Sequence, residues 1–519
     1  MFCKCFCAAI RGVEAQIVQI EADVNDGLPV FQMVGYLNSE AKEARERVRS
    51  AIKNIGWGFP PKRVTVNISP ADFRKEGTAY DLGIAVALLS ALGHGEYKGL
   101  DKIVFVGELS LDGHVNEVKG VLPIVLSAKE QGFRYCMVPE GNVGEGAIVD
   151  GVMTIGVSSL YQALCILEEG EFDSHAAKTE RWDEHYVSVT DKDFSDVAGQ
   201  SMVKRAAMIA VAGGHNMLMQ GPPGAGKTMI AERIPGIMPM LTREESLEVM
   251  RINSICNTLK RCDGYMYERP FRAPHHSIPP TGLIGGGVNP RAGEISLAHK
   301  GVLFLDELTE FARGTAELLR IPLEQKKIVH TRNNSVVEYP CDFTLIAAMN
   351  PCPCGYYPDR LKCTCTPLQI KKYLSKLSYP LLDRIDIITQ VHTVEYGSII
   401  NISNHCGESS ARIREKVERV LHIQEERFEG ETIHRNADMS AKQVKKYCKV
   451  DSAAKKYLGE MYERLSLSAR GYHKILKAAR TIADFDEMKE IKLKHIEEAV
   501  MYRCTDRLSF FSGGLKNDI

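Results

Sequence analysis

The stretch Met217–Thr228, MLMQGPPGAGKT, decides how this chain is read. An apolar run, MLMQ, leads straight into Gly221-Pro222-Pro223-Gly224-Ala225-Gly226-Lys227-Thr228, and a helical stretch follows. The glycines let backbone N–H groups converge on phosphate oxygens. Lys227 is placed to reach the β- and γ-phosphates, and Thr228 to set its hydroxyl on Mg²⁺. Strand, loop and helix in this order predict a nucleotide-binding α/β domain.

Working outward, a second apolar run ends in carboxylates at Gly301–Glu307, GVLFLDE. Asp306 at the strand end suits the Mg²⁺ shell, and Glu307 is placed to polarise an attacking water. Following a phosphate-binding loop, this pair reads as Walker B. A third run, Phe343–Asn350, FTLIAAMN, ends in an amide.

The chain has 519 residues, which predicts about three domains. With 44% hydrophobic residues it can build real cores, so a mostly disordered chain is excluded. Its 65 basic residues against 66 acidic ones leave a charge of −1, which excludes nucleic-acid binding by bulk positive charge and leaves only local patches. Fifteen cysteines, an odd number in a long chain that opens MFCKCFCAAI without a signal-like apolar run, argue against a secreted disulfide scaffold. A reducing cytoplasm is expected, with no transmembrane helix.

Three composition regimes follow one another. Residues 1–168 alternate strand-like and helix-like stretches: Val64–Ile68 and Ile103–Val106 read as strands, and Asn38–Gly56 as a helix whose Arg45, Arg49 and Lys53 make a solvated basic stripe. Residues 169–193 read as a polar linker, 194–400 as the α/β core, and 401–519 as helical, with Ser409–Phe428 and Lys474–Phe485 as the clearest helices.

These landmarks together resemble an AAA+ ATPase. The resemblance implies that Asn350 is the sensor-1 residue and that Arg384, in Leu381–Asp386 (LLDRID), is an arginine finger acting on a neighbouring subunit's ATP. The competing role for Arg384 is a salt bridge to Asp383 or Asp386. Arg470, in Ser468-Ala469-Arg470, matches sensor 2, and Phe194–Gln200 (FSDVAGQ) matches the adenine-side box. A finger in trans implies a ring, and the family pattern implies a homohexamer.

Phe271–Ser277 (FRAPHHS), Gly293–His299 (GEISLAH), the Gly-rich Thr281–Asn289, the hairpin-like Pro322–Pro340 with Asn333-Asn334 at its turn, NPCPCG at Asn350–Gly355 and Leu467–Asp484 narrow the likeness. Together they resemble the magnesium-chelatase-like AAA+ family, in its YifB/ComM branch, over nearly the whole chain. The implied architecture is a P-loop AAA+ core with a C-terminal helical lid, preceded by a Lon-protease-like (ribosomal S5 domain 2-like) α+β domain. In that domain Ala79 stands where Lon carries its nucleophilic Ser and Leu122 where it carries its Lys, so no acyl transfer is expected.

ComM members of the family act in natural transformation by branch migration. The resemblance therefore implies a hexameric, ATP- and Mg²⁺-dependent motor on single-stranded or branched DNA. A chelatase subunit driving metal into a tetrapyrrole is the alternative, and a Lon-like ATP-dependent protease comes after it. His275 and His276 either reach DNA or shape their loop. Lys326, Lys327 and Arg332 of the hairpin either contact phosphates or are solvated.

Cys352, Cys354, Cys363 and Cys365 form two C-x-C pairs eight residues apart. Four thiolates so close could hold tetrahedral Zn²⁺, or they could be free or redox-active thiols. Arg360, Lys362, Lys371, Lys372 and Lys376 beside them, against Asp359, make a basic loop suited to DNA. Cys3, Cys5 and Cys7 have no fourth partner nearby and read as ordinary thiols.

Overall fold

The computed structural model describes residues 1–183, 186, 192–259, 264–287, 291–332, 335–393 and 408–510. The described chain divides into two compact units. The first combines Met1–Tyr186 with Thr242–Met266 and Val329–Tyr339, and the second holds the remainder.

In the first unit a seven-stranded sheet runs in the order Val30–Val34, Arg63–Ser69, Glu14–Asn25, Phe2–Arg11, Ile103–Phe105, Tyr135–Pro139 and Met153–Val157. Phe2–Arg11 and Glu14–Asn25 pair antiparallel, while the last three strands continue parallel. Side chains alternate across a strand, so Cys3, Cys5 and Cys7 all turn into the core. They are small buried hydrophobes, and burial pushes the Cys5 and Cys7 thiols well up.

The helix expected at Asn38–Gly56 spans Ser39–Asn54, with the Asn38 side chain accepting from the Ala41 N–H at 2.8 Å. Its buried positions Ala41, Ala44, Val48, Ala51 and Ile52 leave Arg45, Arg49 and Lys53 on the exposed face. Asp81–Leu92, DLGIAVALLSAL, is different: ten of its positions are buried all round, so it is a core helix without a polar face. Asp81 opens it as a buried carboxyl, pushed up to about 6 by burial against a bidentate Arg47.

The second unit is built on a five-stranded sheet in the order Phe271–Arg272, Val302–Leu305, Thr344–Met349, Met217–Gln220, Ile387–Gln390, parallel throughout. Its three central strands are buried end to end and read as unbroken apolar runs, as parallel strands covered on both faces do. The expected hairpin is present as Lys327–Arg332 and Ser335–Pro340, most of it (Val329–Tyr339) counted with the first unit, and its Asn333-Asn334 turn lies outside the described residues.

The C-terminal part is helical: Ser410–Arg427, Ala441–Tyr447, Ser452–Arg464, Ala469–Phe485 and Leu493–Phe510. A buried charge cluster ties Ser410–Arg427 to Ala469–Phe485. Asp484 accepts from Arg427 at 2.7 Å, from Asn436 at 2.8 Å and from Arg480 at 3.1 Å. Removing one member of such a cluster strands a buried charge, at a cost of about 3–5 kcal/mol.

Gly83 is where the first unit's core helix touches its first strand, because a Cβ there would run into the Cys7 sulfur. Gly83→Ala should destabilise the unit by about 1–3 kcal/mol, and adding Cys7→Ala should recover part of the loss. Both tryptophans, Trp57 and Trp182, lie in this unit. Tryptophan fluorescence during urea unfolding therefore reads it selectively, and an unchanged midpoint in Gly83→Ala would contradict the packing.

Candidate functional site

Three parallel strands deliver the site. Gln220 leads into the phosphate-binding loop, Met349 into Asn350, and Leu305 into Asp306. Within the loop, Gly224 and Gly226 have φ of 75° and 87°, a left-handed backbone that glycine adopts without strain. Lys227 opens the following helix and is almost fully buried. Its Nζ donates to Gly221 O at 2.8 Å, Pro222 O at 2.9 Å and Asn350 Oδ1 at 3.0 Å. Burial pushes its ammonium down, opposed by Asp306 and Glu307. Thr228 Oγ1 donates to Asp306 Oδ2 at 2.7 Å. Lys227, Thr228, Asp306 and Asn350, quoted from separate stretches of sequence, thus form one bonded cluster. It gathers a cation, a hydroxyl and a carboxylate, a set of groups able to meet a nucleoside triphosphate and its Mg²⁺.

Glu307 follows in a left-handed conformation, φ 50°, which costs a non-glycine residue about 1–3 kcal/mol. His276 Nδ1 lies 3.5 Å from Glu307 Oε2, and the His276 ring lies tilted by 35° against His275, with 4.0 Å between centroids. His276, whose sequence context admits either DNA contact or loop shaping, stands against Glu307. The pairing of Phe271–Arg272 with Val302–Leu303 carries it there.

Arg384 and Arg470 are elsewhere in the unit. They line a 540 Å³ pocket with Arg320, Glu324 and Asp383. Arg384 Nη2 donates to Glu324 Oε1 at 2.6 Å and its Nε to Arg320 O at 3.1 Å, so its ion pair is with Glu324 and not with Asp383 or Asp386. Asp383 instead takes Arg470 at 3.3 Å, and Asp386 takes Lys474 at 2.8 Å. Asn216, just ahead of the phosphate-loop strand, fixes this segment by donating to Arg384 O at 3.0 Å and Asp386 Oδ2 at 3.1 Å.

The four cysteines converge, with all Sγ atoms within 4.8 Å of one another. Cys352–Cys354, Cys352–Cys363 and Cys354–Cys363 stand at 3.3, 3.8 and 3.6 Å. The Tyr356 N–H, followed by the neighbouring thiols, lowers Cys354 to about 6, whereas burial pushes Cys365 up to about 12. In the hairpin, Lys326 Nζ is engaged by Asp342 at 3.1 Å and Asp438 at 2.9 Å, so it is the base of the hairpin that it serves and not a phosphate. Lys327 is exposed, and the Arg332 side chain lies outside the described residues. In the first unit Leu122 is fully buried with its N–H on Glu145 Oε1 at 2.8 Å, and neither it nor Ala79 offers a nucleophile or base.

Comparison with known proteins bears directly on this arrangement. The model described as "Magnesium chelatase, subunit ChlI" matches residues 193–399, "Subunit ChlI of Mg-chelatase" matches 20–142, and "Magnesium chelatase, subunit ChlI C-terminal" matches 407–503. The chain is 41% identical over 503 residues to the competence protein ComM of Haemophilus influenzae, covering 96% of this chain and 97% of that one. It is 41% identical over 500 residues to YifB of Escherichia coli, covering 96% of each. A weaker likeness, 27% over 146 residues, joins 27% of the chain to 19% of a peroxisomal Lon protease homolog of Caenorhabditis elegans.

The His276–Glu307 contact predicts that His276→Ala lowers kcat for ATP hydrolysis about tenfold while leaving KM nearly unchanged, because the carboxylate loses its orienting partner. Steady-state ATPase assays check this, and an unaltered kcat would remove His276 from the site.

Proposed function

The chain belongs to the ComM/YifB family of magnesium-chelatase-like AAA+ ATPases, and from that premise we propose that it is a ring-forming DNA motor that drives branch migration. The observation that carries the reading is the separation of two half-sites within one unit. Lys227, Thr228, Asp306, Glu307 and Asn350 cluster at the strand ends, while Arg384 and Arg470 share a pocket of their own. A cluster that offers MgATP the Lys227 ammonium but holds neither Arg384 nor Arg470 is completed by a neighbour's arginines. A homohexamer supplies one such neighbour at every interface.

In each site Lys227 exchanges its carbonyl and Asn350 partners for the phosphates. Thr228 and Asp306 hold the metal of the bound MgATP. Glu307 accepts the proton of the attacking water, and Asn350 orients that water. Arg384 and Arg470 of the adjoining subunit neutralise the charge that develops on the transferring group.

DNA as the track rests on family membership: a full-length relative is a competence protein. Lys327 and the basic stretch around the cysteines are the local patches that a near-neutral chain can offer to phosphates. A tetrapyrrole chelatase motor would share the core, and a Lon-like protease lacks its serine at Ala79 and its lysine at Leu122. No helix among the described residues is long and apolar enough to cross a membrane, in keeping with work on cytoplasmic DNA.

We assign the four thiols to Zn²⁺. Tetrahedral zinc with Zn–S of about 2.3 Å separates its sulfurs by about 3.8 Å, close to the spacings of Cys352, Cys354 and Cys363. Zinc supplies a rigid crosslink there. Purified protein should contain about one zinc per chain. Cys363→Ser should lose it, and metal-free wild type would contradict the assignment.

ATPase and strand-displacement assays on forked DNA test the motor. Lys227→Ala should abolish both activities. Glu307→Gln should bind ATP but cut turnover by about 10²–10⁴. Displacement that persists in Lys227→Ala would exclude the mechanism.

A further inference from the structure

The loop clasped by the four cysteines has a tip unlike the rest of the surface. Leu361 is 99% exposed, and Tyr356 is 41% exposed. Arg360 stacks over the Tyr357 ring at 5.1 Å, presenting a flat cation beside the leucine. Asp359 is consumed in building the tip. Its carboxylate accepts from the Leu361 N–H at 3.0 Å, and its carbonyl accepts from the Cys363 N–H at 2.7 Å. The four thiols gather at the two ends of the loop. The result is an apolar and cationic point held out in water.

The base of the same loop lies against the nucleotide site. Gly355 has φ 87°, and a Cβ there would come within 2.5 Å of Pro223 in the phosphate-binding loop. Cys352 follows Asn350 by two residues. The next helix, Pro367–Leu374, is bonded to the Walker B loop: the Thr309 hydroxyl meets Tyr373 OH at 2.6 Å, and Lys376 meets Glu310 at 3.1 Å. A 440 Å³ cavity lined by Glu307, Asn350, Lys372 and Tyr373 separates that helix from the catalytic residues.

We propose that this tip binds single-stranded nucleic acid and that its engagement drives ATP hydrolysis through Gly355–Pro223 and Tyr373–Thr309. The proposal rests on the DNA-motor reading above. The chemistry of the tip selects the ligand. Bases stack on Tyr356 and the Arg360 plane, Leu361 wedges between neighbouring bases, and Lys362, Lys371 and Lys372 follow the phosphates. An exposed leucine beside Arg360, with Lys362 in a 3.9 Å ion pair to Asp359 and with Lys371 and Lys372 on the next helix, fits a polyanion with apolar faces.

The test uses full-length protein and fluorescein-labelled oligothymidylate. Anisotropy gives affinity at several salt concentrations, and hydrolysis is measured with and without the oligonucleotide. The tip double variant Arg360→Ala/Leu361→Ser should bind at least about tenfold more weakly and lose most of the stimulation, while DNA-free hydrolysis stays at the wild-type rate and reports correct folding. Tyr373→Phe should bind as wild type but be stimulated less. A tip variant that binds and responds like wild type overturns the proposal. So does Tyr373→Phe with full stimulation, as far as the coupling is concerned. Wild type that binds no oligothymidylate at low salt overturns the DNA-motor reading itself, and this proposal with it.

Discussion

Three adjacent strands running the same way bring Lys227, Asn350 and Asp306 to one edge of the sheet. Met349 lies opposite Gln220, and Leu305 opposite Ala347, so the chain leaves all three strands at nearly the same height. The segments that follow carry Lys227, Asn350 and Asp306. A parallel sheet places its ligand at these carboxyl ends because the loops there converge and the strands beneath are too apolar to compete. The buried ammonium of Lys227 is the tightest expression of this constraint. Three oxygens compensate its desolvation, and an incoming phosphate must replace them with something better.

The second half-site is set by the lid. Arg470 and Lys474 sit four residues apart on Ala469–Phe485, hence on one helical face. They take Asp383 and Asp386 on either side of Arg384. Burial pushes the Asp386 carboxyl up, but Lys474 and His215 overcome this and hold it well below the usual carboxylate range. The segment bearing Arg384 is therefore clasped by the lid on one side and by Asn216 on the other. These contacts hold Arg384 and Arg470 against one pocket.

What was legible in the sequence was whatever is local along the chain. The phosphate-binding loop, the Asp306–Glu307 pair and Asn350 each follow an apolar run, so their place at strand ends could be read directly. The helix at Ser39–Asn54 showed its cap and its period. Contacts between distant segments were not legible. His276 meets Glu307 across 31 positions only because two short strands pair. Lys326 looked like a free cation until Asp342 and Asp438 closed on it from other segments. Asp81–Leu92 gives no amphipathic signal because it is buried on every side. The four cysteines were legible as a set, but their convergence depended on the turn between them.

The central claim is that each nucleotide site is finished by the next subunit, and mixing subunits tests it most directly. Lys227→Ala and Arg384→Ala proteins are each inactive on their own account, the first for want of bound nucleotide and the second for want of a finger. Combined before assembly, they create interfaces where an intact phosphate loop faces an intact Arg384. Turnover well above the sum of the separate proteins is the predicted result. A mixture no more active than its parts would mean that Arg384 does not act across the interface, and the ring mechanism would fall.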